Sequence, residues 1–137
     1  MKPVDVTDPS YAEGRILDFL GEDKIESKLL QTFPYEGPKQ RITYDTAEFS
    51  AVCPYSGLPD YGRLKIEYIP AKSIVELKSL KYYIVSFRPV GIFQEPATAR
   101  IYKDLHALLQ PEWLCVTTAY NTRGGIDAVC EVRSDAQ

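Results

Sequence analysis

Cys53 and Asp60 stand seven residues apart in the stretch Glu48-Phe-Ser-Ala-Val-Cys-Pro-Tyr-Ser-Gly-Leu-Pro-Asp60. Thiolate is the nucleophilic form of cysteine, and Pro54, Gly57 and Pro59 restrict the backbone so that Asp60 can return towards the sulfur. Like-charge repulsion would push a carboxyl group there towards its protonated form, which suits addition to an electrophile followed by protonation. A cysteine that closes an apolar run (Phe49, Ala51, Val52) is also, and more often, a small buried hydrophobe. The pair alone leaves both readings open.

A second group of reactive side chains lies in Val75-Glu-Leu-Lys-Ser-Leu-Lys-Tyr-Tyr83. Lys78, Ser79 and Lys81 at the mouth of a helix could bind an anion, with free N–H groups and the macrodipole helping. The plainer alternative is a solvated helix face with a capping serine. Further on, Gln94 and Glu95 set an amide beside a carboxylate. That is the donor and acceptor pattern for a purine edge, or else a second helix cap.

Several chemistries are excluded by what is missing. His106 is the single histidine, so no zinc set is expected, and a cysteine hydrolase would have to bring His106 to Cys53 from another element. A net charge of −3 offers no general attraction to nucleic acid, and no direct nucleic-acid partner is expected. Three cysteines, widely spaced and odd in number, argue against disulfides. With no long apolar run and no signal-like N-terminus, the expected setting is cytoplasmic, away from membranes. The 137 residues fit one domain with a sizeable core.

The elements that must position these groups follow from periodicity. Residues 1 to about 11 read as a mobile arm. In 12–38, Ile16, Phe19 and Leu20 suggest one short helical face and Ile25, Leu29 and Leu30 another, broken by Gly21 and the Pro34–Pro38 segment. Alternation of Ile42, Tyr44 and Thr46 predicts a strand, and Leu64, Ile66 and Tyr68 its hairpin partner. Between them, the Cys53–Asp60 stretch reads as a loop. Leu80, Tyr83, Ile84 and Phe87 predict a helix opening at Ser79, and Ala97, Ile101, Leu105 and Leu108 a second with Pro96 in its first turn. Trp113, Cys115 and Thr117 mark a third strand, and Ile126–Val132 a fourth after the turn at Asn121–Gly125. This is an α+β chain in the order strand, strand, helix, helix, strand, strand. Its four-stranded antiparallel sheet has open edges that self-association would close.

With these blocks in place, residues 38–132 closely resemble the NADPH-dependent 7-cyano-7-deazaguanine reductases, the nitrile reductases of queuosine biosynthesis. Glu48–Pro54 with Pro59-Asp60, Glu76–Tyr83, and Phe93–Glu95 with Asn121–Gly125 carry the likeness. The short length is that of the single-module subfamily. The resemblance implies a tunnel fold over 38–137, preceded by an extension over 1–37, and a homo-oligomer of stacked rings, a decamer, with active sites between subunits. It implies that Cys53 adds to the nitrile to give a thioimidate and that Asp60 supplies a proton. Val75, Glu76, Leu77, Gln94 and Glu95 would hold the deazapurine. Lys78, Ser79, Lys81 and Arg123 would contact NADPH, of which two are needed. Many relatives carry His where this chain has Gln94, so no proton-transfer role carries over to that position. A tunnel-fold amidinotransferase acting on the same nitrile in tRNA is the nearest rival, though a basic surface would be expected of it. A cyclohydrolase would need zinc, and a purine-binding scaffold would leave Cys53 and Asp60 without a task.

Overall fold

The computed structural model describes residues 17–135. The mobile arm expected over 1–11, and Ile16 of the first helical face, lie outside them. Every second residue of β3 (Pro59–Ile69), from Asp60 through Gly62, Leu64 and Ile66 to Tyr68, is buried, while most of those between are exposed. Such a period-two pattern can bury only one face, and it is that face which the helices cover. β3 pairs antiparallel with β2 (Ile42–Val52) on one side and β5 (Trp113–Arg123) on the other, and β6 (Ile126–Arg133) completes the order β2-β3-β5-β6. Among the described residues β6, and β2 apart from a bridge between Val52 and Gly91, keep a free edge.

Helices α1 (Leu77–Val85) and α2 (Gln94–Leu109) lie against the buried face. Their apolar stripes meet it through Leu80 and Tyr83 from α1 and Ala97, Ile101 and Leu105 from α2, all nearly inaccessible to solvent. Phe87, just past α1, lies edge-on to Tyr83 at 5.3 Å and tilted against Phe49 at 5.5 Å between ring centres, joining the helices to β2. α2 ends at Gln110, whose left-handed backbone (φ 43°) returns its N–H to the His106 carbonyl. Within the four-stranded sheet and its two helices, the element order inferred from periodicity is the order found.

Three details differ from the sequence-based expectation. The β2–β3 hairpin is longer and its loop shorter. Glu48–Val52 and Pro59-Asp60 belong to strands, with Ala51 opposite Asp60 and Val52 opposite Pro59, so the connection is only Cys53–Leu58. A register shift between Thr46 and Phe49 restores burial on the helix side and masks the alternation. α1 begins two residues before Ser79, because Glu76 caps it. Its carboxylate accepts the Lys78 and Ser79 N–H groups at 2.7 and 2.8 Å, a role usually taken by shorter side chains. Finally, the short helices expected before residue 31 are 3₁₀ turns at Glu22–Lys24 and Ser27–Leu29, followed by a short strand β1 (Thr32–Pro34) on β4 (Ser73–Val75). Ile25 and Leu30 nevertheless reach the core, at 5% and 7% exposure.

Candidate active site

Cys53 is the first residue beyond β2. Its N–H donates to the Leu58 carbonyl at 2.9 Å, and its own carbonyl accepts the Ser56 and Gly57 N–H groups. Gly57 takes a positive φ of 76°, which closes this six-residue connection and is disfavoured for other residues. Since Cys53 stands opposite Leu58, and Ala51 opposite Asp60, Cys53 and Asp60 are diagonal neighbours on one face of the hairpin. Asp60 therefore returns towards the thiol, as the loop argument required, but through strand register.

Asp60 is 8% exposed and pairs with Arg123, whose Nη1 donates to Oδ1 at 3.0 Å. No hydrogen bond joins it to Cys53 among the described residues. The group bonded to this carboxyl is thus a cation, where the sequence-based reading expected only like-charge repulsion from the thiolate. Tyr120 lies beside the pair, with Arg123 over its ring at 5.4 Å. Burial first, and then the neighbouring Asp60 charge, push the Tyr120 phenol well above its ordinary range. Its hydroxyl is buried and has no hydrogen-bond partner.

Gln94, in the first turn of α2, closes the same end of the sheet. Its Nε2 donates to the Thr118 carbonyl and hydroxyl at 3.2 Å each and to the Ala128 carbonyl at 2.9 Å. Two carbonyl acceptors fix the amide's orientation, leaving Oε1 buried and unpartnered. Among the described residues, the Tyr120 hydroxyl and Gln94 Oε1 are the two buried side-chain polar atoms without a partner. An orphan donor–acceptor and an orphan acceptor in one neighbourhood are what a polar ligand would satisfy. Glu95, exposed on the same turn, adds a carboxylate. The backbone draws these pieces together: Val52 donates to the Val90 carbonyl at 2.9 Å and Ile92 to the Val52 carbonyl at 3.0 Å. The residue before Cys53 is thus bonded to the segment that leads into Gln94.

The second group sits elsewhere. The Val75 N–H donates to the Tyr68 hydroxyl (3.2 Å), and Tyr68 is eight residues along β3 from Asp60. At the rise of an extended strand, that is about 26 Å. Within one chain, Val75, Glu76 and Leu77 are therefore at the opposite end of the sheet from Cys53, Asp60, Gln94 and Glu95. Val75 is a core side chain, 2% exposed, whereas Leu77 is half exposed. Ser79 is buried, and its hydroxyl donates to the Glu76 carbonyl (2.7 Å) and accepts the Gln31 N–H (3.0 Å). The helix N–H groups expected to bind an anion are occupied by the Glu76 carboxylate. Lys78 and Lys81 remain exposed and in no ion pair among the described residues, with Lys78 lying 5.9 Å over the Tyr82 ring. Lys81 and Leu77 also line a cavity of about 390 Å³ between α1 and β2, rimmed by Arg88, Asp45 and Glu48.

Periodicity did not single out Tyr120, although the alternation Leu114, Val116, Thr118, Tyr120 puts it on the helix side, opposite Gly62. An alanine Cβ at Gly62 would lie 2.8 Å from the Tyr120 ring, so that glycine admits the ring. Metal chemistry finds no cluster of three or more candidate ligands among the described residues. His106 lies twelve residues down α2 from Gln94, about 18 Å, and stacks on Tyr102 instead.

The model of the QueF-like protein family matches residues 59–137. The NADPH-dependent 7-cyano-7-deazaguanine reductase of Thermotoga maritima is 56% identical over 124 residues, 90% of each chain. The chain belongs to this family. The reductase of Caldicellulosiruptor bescii, of the same name, is 49% identical over 82% of this chain and 87% of its own. A crystal structure of the archaeosine synthase QueF-Like in the apo form superposes with a TM-score of 0.64 over 74% of this chain and 99% of its own. At 21% identity that likeness speaks for the tunnel-type fold alone. No helix of the described residues is long and apolar enough to cross a membrane.

Proposed function

We propose that this chain reduces the nitrile of 7-cyano-7-deazaguanine to an aminomethyl group at the expense of two NADPH, through a thioimidate on Cys53, in the cytoplasm. The observation that carries the reading is the clustering of Cys53, Asp60 and Glu95 with the orphaned Tyr120 hydroxyl and Gln94 Oε1, in a chain whose relatives bear that enzyme name. A deazaguanine offers N–H donors to Gln94 Oε1 and Glu95, and a carbonyl acceptor for a hydroxyl. Cys53 forms the carbon–sulfur bond, one π bond of the nitrile breaks, and Asp60 carries the proton that the nitrogen gains. NADPH supplies the hydrides. Lys78 and Lys81 have the exposure and the unsatisfied charge to meet its phosphates, and Arg123 stands at the other end as a further contact.

Completion of the site requires a second copy. Leu77 and Glu76 cannot reach a base held at Cys53 from about 26 Å along the same sheet, whereas the free edges of β2 and β6 allow one chain's α1 end to meet another's Cys53 end. That favours a ring-forming homo-oligomer with sites between subunits. Incubation with 7-cyano-7-deazaguanine should oxidise NADPH in a 2:1 ratio to substrate, and Cys53→Ala should abolish it. Wild-type turnover by Cys53→Ala would exclude covalent catalysis. Ammonia-dependent conversion without NADPH would instead indicate the amidinotransferase chemistry of the same fold.

A further inference from the structure

Arg123 reaches Asp60 only because β5 carries an extra residue. Tyr120 faces the helices, and strict alternation would send Arg123 to the opposite face of the sheet. Instead the register steps from Tyr120 opposite Ala128 to Arg123 opposite Ile126, three residues along β5 against two along β6. Thr122 goes to the other side, where it donates to Asp127, and Arg123 comes back over the Tyr120 ring. Bulges next to sites re-aim side chains in this way. The turn that follows does not fix it: Gly124 and Gly125, both at positive φ, have nothing within 4 Å of where a Cβ would be. The placement of Arg123 rests on its contacts with Asp60 and Tyr120.

We propose that Arg123 is the positioning residue of Asp60, holding Oδ1 so that the second oxygen faces the Cys53 side for proton transfer. This rests on the covalent reading above and adds to it a role separate from cofactor binding. As the carboxylate of an ion pair, Asp60 first accepts the Cys53 thiol proton and then returns it to the nitrile nitrogen. One carbon–sulfur bond forms, one π bond breaks, and no electrons are gained or lost. Among the described residues Arg123 is the only side chain bonded to Asp60, so nothing else orients that carboxylate. Half of the Arg123 side chain remains exposed, which leaves it able to touch a bound phosphate as well.

The two roles separate in an experiment without cofactor. With 7-cyano-7-deazaguanine alone, formation of the Cys53 adduct is followed by intact mass. Arg123→Ala should slow it by about tenfold or more, Arg123→Lys should recover part of the loss, and in an Asp60→Asn background Arg123→Ala should have almost no further effect. A wild-type rate of adduct formation in Arg123→Ala, with only the Michaelis constant for NADPH raised, would overturn the proposal. If wild-type protein forms no adduct, the covalent reading is what has failed. The same double-mutant comparison on alkylation of Cys53 by iodoacetamide then decides for Arg123, and independent, additive effects of the two substitutions would overturn the pairing.

Discussion

Cys53 is one of three free thiols, and their surroundings separate them. Burial pushes the Cys115 thiol up, with the Glu131 and Glu67 charges adding to it. It does the same at Cys130, where Glu95 is the next cause. A raised thiol carries less thiolate at neutral pH than an ordinary one, and thiolate is the species that reacts. Limited treatment with iodoacetamide near pH 7 should therefore modify Cys53 first, with Cys115 and Cys130 following only as the pH rises into the alkaline range. Peptide mapping across pH checks this, and early labelling of Cys130 would mean that the Thr98–Thr118 side of the sheet opens to solvent. At this scale the sequence was informative about identity and poor about orientation. Cys53, Asp60 and Glu95 could be named from spacing and resemblance. The Arg123–Asp60 pair could not, since a single extra residue in β5 reverses which face Arg123 occupies, and nothing in Asn121-Thr-Arg-Gly-Gly125 marks where it falls. Ser79 was misplaced for a related reason: a capping glutamate breaks the usual preference and moves the helix start.

Elements before the hairpin hold the site more than their composition suggests. Leu20 donates to the Pro89 carbonyl and accepts the Gly91 N–H, both at 2.8 Å, while Leu17 donates to the Ser56 carbonyl at 3.2 Å. The segment Leu17–Leu20 thus lies as a strap across the Cys53–Leu58 connection and the backbone leading to Gln94. Phe19 sits on Gly91 so closely that an alanine Cβ there would come 2.2 Å from its ring. Gly91→Ala is tolerable for the backbone, so the displaced group must be Phe19. Overpacking of this kind costs about 1–3 kcal/mol. Gly91→Ala should lower the melting temperature and speed alkylation of Cys53, and adding Phe19→Ala should reverse part of both changes. Thermal unfolding and alkylation rates measured on the single and double variants check it; a double variant no better than Gly91→Ala would mean that Phe19 is not seated there. Such packing is illegible from periodicity, because it depends on a glycine and a ring 72 positions apart in the chain.

At the scale of the molecule, the Val75–Leu77 block and Cys53 stand at opposite ends of one sheet. Periodicity gave the order of elements and the open edges. The separation of the Val75–Leu77 block from Cys53 depends on β3 running the full length of the sheet, and the loop reading of Pro59-Asp60 had shortened it. If sites form between copies, a variant damaged at one end should be complemented by a variant damaged at the other. Cys53→Ala supplies the first. Leu77→Glu supplies the second, since Leu77 is half exposed and a charge there costs the fold little while opposing an apolar contact with the base. Each variant alone should be inactive or nearly so. Co-refolded in equal amounts, with random placement around a ring, one site in about four receives an intact Cys53 end and an intact Leu77 end, so activity should return to about a quarter of wild type. Cys53→Ala mixed with Asp60→Asn should return almost none, because every chain then carries a lesion at the same end. No recovery in either mixture would place the whole site within one chain, and would require a path for Leu77 to Cys53 that the length of β3 does not offer.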